Sequence, residues 1–275
     1  MQMHCAPACE TCHLLDHKYR CPLNETEPEA LKPGDLNKMF ERILHDEYYQ
    51  QYEPAAWSMP NPTDEQKERG IIDGPWVIVL EKFLTFDECD RLIELGAIEG
   101  YDVSSDVGRK NFDGTFEADV NSGRTSTNAW CSTTCYEDEV AKRVSARIEN
   151  VTGIPERNAE YLQLLRYEPG QFYKTHHDYI SHDTEWPAGV RTLTFFLHLN
   201  DVDAGGGTEF PILGFTVQPK KGRAVIWPSV LNEDPNAMDA RTDHGALPVE
   251  EGIKYGANAW IHQKDVKAAL AAGCA

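Results

Sequence analysis

Two histidines and one aspartate in the C-terminal half of the chain have the residue types and spacing of a metal site. His176 and Asp178 are two residues apart, so on a β-strand their side chains point to the same face. A His-x-Asp pair alone is weak evidence, because this spacing also arises by chance among solvated residues. His244 adds a second histidine on a later predicted strand, and two histidines with one carboxylate form a facial triad. Such a triad leaves positions open on a ferrous ion for an organic cosubstrate and dioxygen, so the sequence predicts an Fe(II) centre.

A lysine on the last predicted strand is expected to face the same interior. Strand alternation places Lys254 on one face with Gly256, Asn258 and Trp260. The opposite face is apolar and is expected to pack against helices; it carries Ile253, Tyr255, Ala257, Ala259 and Ile261. An ammonium group that points into a barrel is costly unless it meets a fixed anion. The distal carboxylate of 2-oxoglutarate is the expected anion, and a surface lysine at a strand edge is the alternative.

The elements that must position these residues are mostly short strands. From Tyr161 onward, short runs with alternating apolar residues follow one another, separated by glycine- and proline-containing turns. The predicted strands are 161–167, 171–175, 191–199, 215–218, 222–227, 243–249 and 253–262. Many short strands at this spacing indicate an antiparallel sandwich or barrel, and they exclude a doubly wound parallel sheet.

Helices are predicted mainly upstream of these strands. The 3.6-residue periodicity predicts a helix that begins near Asp35. Thr85 with Glu88 forms a capping box for a helix to about residue 95, which Gly96 or Gly100 ends. A further helix is predicted over 137–150, and 76–80 is a buried strand. The proline-containing segment 53–75 is interpreted as loop or linker, and 101–130 as a long loop or loose hairpin.

The overall charge limits the classes of partner. The 275 residues include 26 Lys and Arg against 45 Asp and Glu, a formal net charge of −19. This acidity argues against a nucleic-acid binder that tracks phosphates, although it favours a basic substrate. The sequence contains no apolar run long enough for a membrane-spanning helix.

Cysteine usage predicts an oxidising compartment. Four of the eight cysteines lie in the first 21 residues with the spacing C-x3-C-x2-C-x8-C, which fits a disulfide knot or a metal-binding knuckle. Two sequences that satisfy the N-glycosylation rule, at Asn24 and Asn150, favour the secretory pathway. We therefore expect the endoplasmic reticulum lumen, with a leader that is absent from this sequence. Cys131 and Cys135 fit either a short-range disulfide bond or two free thiols.

The combination of these motifs resembles the prolyl 4-hydroxylase branch of the Fe(II)/2-oxoglutarate dioxygenases. The resemblance spans about residues 75–263 and keeps the order and spacing of its motifs, which lie at 166–173, 176–178, 191–201, 206–211, 219–224 and 244–260. It implies a mainly β (α+β) fold with flanking helices around a double-stranded β-helix, the jelly-roll or cupin-like core. The expected organisation is a cysteine-rich segment at 1–34, a helix and linker at 35–74, the dioxygenase domain at 75–265, and a tail at 266–275.

The resemblance also implies a role for each residue that matches a family motif. His176, Asp178 and His244 resemble the iron ligands, and Lys254 resembles the residue that clamps the C5 carboxylate of 2-oxoglutarate. The other residues expected around the cosubstrate are Tyr167, Thr194, Asn258 and Trp260. The residues expected to hold the substrate proline or to close over the peptide are Tyr173, Arg191, Arg124 and Trp130. The chain departs from the family at His198, where a tyrosine is frequent.

The implied activity is hydroxylation of peptidyl proline at C4, coupled to oxidative decarboxylation of 2-oxoglutarate to succinate. Fe(II), 2-oxoglutarate, O2 and L-ascorbate are the expected cofactors and cosubstrates, and the expected partner is a proline-containing peptide or protein. Two alternatives remain open at this stage. The same scaffold could hydroxylate a lysyl residue or a small molecule, or the protein could be a jelly roll that binds without catalysis.

Overall fold

Two β-sheets that face each other form the centre of the computed structural model, which describes residues 17–24, 26–111 and 116–274. The strands are β1 (Pro54–Met59), β2 (Ile72–Asp73), β3 (Val77–Leu80), β4 (Asp102–Val103), β5 (Asp106–Lys110), β6 (Phe116–Asp119), β7 (Thr127–Trp130), β8 (Gln163–Tyr167), β9 (Tyr173–His176), β10 (Arg191–His198), β11 (Ala204–Gly205), β12 (Thr208–Phe210), β13 (Phe215–Val217), β14 (Ala224–Pro228), β15 (His244–Ala246), β16 (Val249–Glu251) and β17 (Lys254–His262). Within the described part of the chain the large sheet has the order β2-β1-β3-β14-β10-β17-β8-β7-β4, and the small sheet has the order β13-β12-β15-β9. This arrangement confirms the expected double-stranded β-helix.

The large sheet is apolar on both faces because it is covered on both sides. Its central strand β10 is buried over almost its whole length, and it pairs with β14 and β17 in antiparallel register. One face of the sheet packs against the small sheet, through residues such as Phe196, Phe210 and Trp227. The other face packs against helices, and there Ala257, Ala259 and Ile261 of β17 are buried as the sequence predicts.

The described helices are α1 (His17–Arg20), α2 (Asp35–His45), α3 (Asp64–Glu68), α4 (Phe86–Glu99), α5 (Thr134–Glu137), α6 (Glu139–Thr152) and α7 (Val266–Ala271). Both α4 and α6 begin at a capping side chain, Thr85 and Asp138, and end at a glycine, Gly100 and Gly153. The predicted capping box of α4 is present, because Thr85 accepts a bond from the Glu88 amide and the Glu88 carboxylate accepts one from the Thr85 amide. The helix ends at Glu99 with Gly100 as its C-cap, which is the later of the two expected ends. Arg147 of α6 then pairs with Glu88, which joins the two helices.

The interpretation of 53–75 as a linker is wrong. Pro54–Met59 is a strand of the large sheet, antiparallel to β3 and parallel to β2, and α3 follows it. The prolines mislead because Pro54 is the first residue of its strand, a position where a missing amide hydrogen is tolerated. The segment 101–130 forms the hairpin expected, β5 with β6, but it also supplies β4 and β7 to the large sheet.

The two ends of the described chain are brought together. The predicted tail at 266–275 forms α7, and the sulfur atoms of Cys274 and Cys21 lie at bonding distance, 2.01 Å. The other three cysteines of the predicted N-terminal cluster, Cys5, Cys9 and Cys12, lie outside the described residues. Cys131 and Cys135 form a second pair at bonding distance. None of the helices in the described ranges is long and apolar enough to cross a membrane.

The pair of cysteines at the chain ends gives a stability prediction. Cys21 and Cys274 are separated by 253 residues, so their cross-link restricts the unfolded chain far more than the Cys131–Cys135 link, which spans 4 residues. We expect Cys21→Ser to lower the free energy of unfolding by about 2–4 kcal/mol. Thermal unfolding monitored by circular dichroism measures this change.

Cys131→Ser is the control for that experiment, and we expect it to have the smaller effect. Intact-mass measurement with and without reductant establishes that the bonds are present. Equal unfolding temperatures for oxidised wild type and Cys21→Ser would contradict a stabilising role of the bond.

Candidate metal and cosubstrate site

The small sheet brings the three predicted metal ligands together. His176 ends β9 and His244 begins β15, and the two residues are direct partners in the antiparallel pairing of these strands. Asp178 follows β9 by two residues, so its side chain turns to the same side. Asp178 Oδ1 lies 3.7 Å from His176 Nε2, and Asp178 Oδ2 lies 3.4 Å from His244 Nε2. The candidate ligand atoms of the three residues all lie within 4.8 Å of one another.

Neighbouring groups orient each of these ligands. The Nδ1 atom of His176 faces the Lys174 carbonyl at 2.8 Å, and that of His244 faces the Thr242 carbonyl at 3.0 Å. A ring that donates from Nδ1 keeps the Nε2 lone pair available for a metal ion. The Thr194 hydroxyl donates to Asp178 Oδ2 at 2.5 Å. The predicted cosubstrate residue Thr194 is thus placed where it orients the ligand Asp178.

Electrostatics favour the protonation states that a metal ion requires. Burial, and then the nearby charge of His244, lowers the pKa of His176 to about 3, so its ring is neutral near pH 7. Burial acts to raise the pKa of Asp178, but the neighbouring histidines, Arg191 and the Thr194 hydroxyl outweigh it and lower that pKa. A neutral imidazole at His176 and an ionised carboxylate at Asp178 match the donor types of a non-haem Fe(II) site. The residues present therefore fit the predicted iron.

The large sheet places the predicted cosubstrate lysine beside this triad. Lys254 begins β17 and is paired with Tyr167 at the end of β8. Its side chain is 1% exposed, and no hydrogen bond reaches its Nζ atom from any described residue. Nζ lies 5.2 Å from the centre of the Tyr167 ring and 5.3 Å from that of Phe196. A cation buried in this way lacks its counter-ion, so the cavity fits an anionic ligand such as the distal carboxylate of 2-oxoglutarate.

One cavity joins the lysine to the triad. Its lining includes His176, Asp178, His244 and Lys254, together with the predicted residues Tyr167 and Asn258. Asn258 lies on the same face of β17 as Lys254, and its amide is 3.4 Å from Gln163 Oε1. Two of the predicted cosubstrate residues do not line this cavity: Thr194 is bound to Asp178, and Trp260 lies further along β17 and lines an adjoining open cleft.

His198, the position at which the chain departs from the family, lies in the same layer of the interior as Lys254. Its side chain is fully buried, and neither ring nitrogen has a hydrogen-bond partner among the described residues. Burial, and then the charge of Lys254, lowers its pKa well below the ordinary value, so the ring is neutral. His198 therefore adds no second positive charge beside Lys254.

The open cleft contains the four residues predicted to contact a peptide. Tyr173, Arg191, Arg124 and Trp130 line it, next to His176 and Asp178. The Tyr173 ring stacks on the His176 ring with 3.6 Å between centres, and its hydroxyl donates to Asp106 at 2.7 Å. The Arg124 guanidinium lies 4.7 Å from the centre of the Tyr173 ring. The side chains that sequence reasoning assigned to the peptide thus converge on one surface beside the metal ligands.

Three acidic or basic partners of these residues were missed in the sequence. Glu160 accepts from Arg191 Nε at 2.6 Å and lies 2.8 Å from His262 Nε2. Asp106, on β5, binds the Tyr173 hydroxyl. Strand alternation could have found His262, because it lies on the same face of β17 as Lys254. Glu160 and Asp106 come from loops or irregular strands, where no periodicity marks them.

Comparisons with known proteins agree with this geometry. The family model of the 2OG-Fe(II) oxygenase superfamily matches residues 162–262. Probable prolyl 4-hydroxylase 7 of Arabidopsis thaliana is 33% identical over 216 residues, which cover 71% of this chain and 65% of that protein. Prolyl 4-hydroxylase subunit alpha-1 of Rattus norvegicus is 38% identical over 146 residues, which cover 51% of this chain and 27% of that subunit. The chain thus spans just under two thirds of the first relative and about a quarter of the second.

Solved structures show the same fold. The viral collagen prolyl hydroxylase of Paramecium Bursaria Chlorella virus-1, in its 2OG complex, has a TM-score of 0.54 and 28% identity, and the match covers 70% of this chain and 99% of that chain. A prolyl hydroxylase of Trichoplax adhaerens, in complex with a peptide fragment of hypoxia inducible factor, has a TM-score of 0.50. It is 17% identical over 70% of this chain and 86% of that chain, so this second likeness shows the fold alone.

The unpaired ammonium of Lys254 gives a prediction about cosubstrate binding. We expect Lys254→Ala to raise the KM for 2-oxoglutarate by about 10- to 100-fold, because a hydrogen bond to a charged group contributes about 1.5–3 kcal/mol. Initial rates over a range of 2-oxoglutarate concentrations measure it. Lys254→Arg keeps a cation and should recover part of the affinity. An unchanged KM in Lys254→Ala would show that the cosubstrate lies elsewhere.

The burial of Lys254 also predicts a pH dependence. Burial lowers its pKa to about 7, so in the unliganded protein the ammonium loses its proton as the pH rises through that value. A bound carboxylate favours the protonated form, so we expect 2-oxoglutarate binding to weaken above pH 7, by up to about tenfold per pH unit. Calorimetric titration at saturating Mn(II) between pH 6 and 8.5 measures this slope. Lys254→Arg stays charged throughout and should give a flat profile, and a flat wild-type profile would contradict the assignment.

Proposed function

We propose that the chain is a member of the 2OG-Fe(II) oxygenase superfamily, in its prolyl 4-hydroxylase branch, and that it hydroxylates peptidyl proline at C4. The reaction would be coupled to oxidative decarboxylation of 2-oxoglutarate to succinate, with Fe(II) and O2. One observation carries the proposal. The three-ligand cluster His176, Asp178 and His244 shares a cavity with the buried, unpartnered Lys254, and that cavity adjoins the open cleft.

Separate residues of this chain would bind the metal and the cosubstrate. His176, Asp178 and His244 would hold the iron, and Lys254 with the Tyr167 hydroxyl would hold the distal carboxylate of 2-oxoglutarate. When it is bound, the iron supplies the oxidative chemistry that joins O2, 2-oxoglutarate and substrate. Thr194 fixes the orientation of Asp178 through its 2.5 Å hydrogen bond. The buried aromatic rings of Tyr167, Phe196 and Trp227 exclude water from the cavity.

The cleft residues would position the proline. The Tyr173 ring presents a flat surface, because its hydroxyl is bound to Asp106 and its lower face lies against His176. Arg191 stacks on Trp260 with 3.9 Å between guanidinium carbon and ring centre, and its Nε is bound to Glu160. Side chains held in this way offer a rigid floor, and rigid positioning of the reacting atoms contributes a large share of enzymatic rate. Ascorbate would act as the reductant that restores the iron when turnover is not coupled to a substrate.

We propose that the protein resides in the endoplasmic reticulum lumen. Two cysteine pairs at bonding distance and two N-glycosylation sequences support an oxidising, secretory compartment. A proline-containing peptide or protein is the proposed partner. A lysyl or small-molecule substrate is the alternative, and it is distinguished by the product of the reaction.

Substitution of the ligands tests the catalytic proposal. We expect His176→Ala and His244→Ala to abolish both succinate release and peptide hydroxylation, since removal of one ligand from a three-ligand site removes the metal. His45, which is exposed on α2, provides the matched control, and His45→Ala should retain full activity. Mass spectrometry of proline-rich, collagen-like and serine-proline peptides incubated with Fe(II), 2-oxoglutarate and O2 locates any added oxygen atom.

Two outcomes would contradict the proposal. An added oxygen on a lysyl residue, with none on proline, would favour the alternative substrate. Absence of iron-dependent succinate release in the wild-type protein would show that the jelly roll binds without catalysis.

A further inference from the structure

The open cleft does not end at the metal ligands but continues into a second cavity, here called the distal pocket. Val107, Ile180 and Arg191 line both the cleft and the distal pocket. Arg191 is the boundary between them, because one side of it faces Trp260 in the cleft and the other faces the pocket. A peptide whose proline lies against Tyr173 and Arg191 would therefore place a neighbouring side chain at this opening.

The walls of the distal pocket are mainly apolar and come from separate parts of the chain. Ile180 and Trp186 lie on either side of a short 3-10 helix at Ser181–Glu185, and Val266 and Leu270 are on α7. The 3-10 helix and α7 are short segments at the edge of the fold, outside the two sheets. Such a surface fits the aliphatic part of a side chain.

The charged groups of the pocket leave one carboxylate without a direct partner. Arg191 and His262 both contact Glu160, at 2.6 Å and 2.8 Å, so these three side chains are partners of one another. The carboxylate of Asp183 accepts no hydrogen bond within the described ranges, and its closest basic atom is His182 Nε2, at 3.9 Å. Its side chain is 16% exposed, and that opening faces the pocket. Burial raises the pKa of Asp183 to about 6 in spite of the neighbouring His262 and Arg191, as expected for a carboxylate that lacks a donor.

We propose that the distal pocket is a specificity subsite that accepts a lysine or arginine side chain of the peptide substrate, close in sequence to the target proline. The proposal rests on the proposed function, since it needs a peptide in the cleft. The aliphatic stem of the basic residue packs against Ile180, Trp186 and Leu270, and its cationic head donates to Asp183. This occupant supplies the donor that no described residue offers to Asp183, and a purely apolar side chain does not. The net charge of −19 favours approach of a basic peptide.

A peptide series tests the subsite. Each peptide contains one target proline and carries lysine at one position, from four residues before the proline to four after it. A matched series carries norleucine, which has a similar aliphatic stem and no charge. At the position that reaches the pocket we expect the wild-type protein to bind the lysine peptide about tenfold more tightly, as measured by calorimetry with 2-oxoglutarate and Mn(II).

Asp183→Asn is the decisive variant, because it keeps the shape of the side chain and removes the charge. We expect it to lose the lysine preference while its affinity for the norleucine peptide changes less than twofold. Asp64→Asn, an exposed position on α3, alters the net charge by the same amount and should keep the full preference. Leu270→Lys would place a cation in the pocket wall and should also remove the preference.

The outcomes separate this subsite from the proposed function. Equal binding of lysine and norleucine peptides at every position would overturn the subsite, even if proline is hydroxylated. A lysine preference that persists in Asp183→Asn would also overturn it, because a residue other than Asp183 would then bind the charged lysine head. A preference that depends on Asp183, without hydroxylation of any proline, would support the subsite and overturn the proline 4-hydroxylase proposal.

Discussion

The fold buries the ammonium group of Lys254 and, within the described residues, provides no anion beside it. The rest of the interior is arranged around this constraint. Lys254 Nζ lies near two aromatic rings, and no described residue places an anion within hydrogen-bond distance of it. Burial of an unpaired ammonium group costs free energy that a stable core does not ordinarily carry. The same interior contains three metal-ligand side chains whose donor atoms face one another. Both features leave polar groups that a ligand must complete. The apolar packing around them supplies the stability that allows the interior to remain incomplete.

Strand register is what brings these groups together. His244 is paired with His176 in the small sheet, and Lys254 is paired with Tyr167 in the large sheet. Because side chains alternate along a strand, a slip of one residue in either pairing would turn the affected group to the opposite face. The apolar residues on the outer face of β17 oppose such a slip, since it would bring Lys254 against the helices. Packing of the helices therefore fixes the geometry of the site on the far side of the sheet.

The features that depend on local residue spacing could be predicted from the sequence, and those that depend on contacts between distant residues could not. The faces of β17, the capping box of α4 and the convergence of His176, Asp178 and His244 all follow from local spacing combined with the motif order of a known family. The strand β1 was missed because its proline was interpreted as a break, whereas tertiary pairing with β3 accommodates it. Glu160 and Asp106 were missed for another reason. Their partners are 31 and 67 residues away, and no local pattern connects a loop carboxylate to a distant arginine or tyrosine.

The residues proposed for catalysis and the residues proposed for peptide selectivity lie largely on different elements of the fold. The metal ligands and Lys254 lie at strand ends that both sheets hold in register, so substitutions around them disturb the core. The apolar wall of the distal pocket comes instead largely from α7 and the residues around a 3-10 helix, whereas Arg191 and His262 reach it from strands of the large sheet. The sulfur atoms of Cys21 and Cys274 lie at bonding distance, and a bond between them would tie the end of α7 to the N-terminal part of the described chain. A short segment outside the sheets can change its side chains without disturbing the sheets. Such an arrangement allows the accepted peptide to vary while the oxidative centre is kept constant.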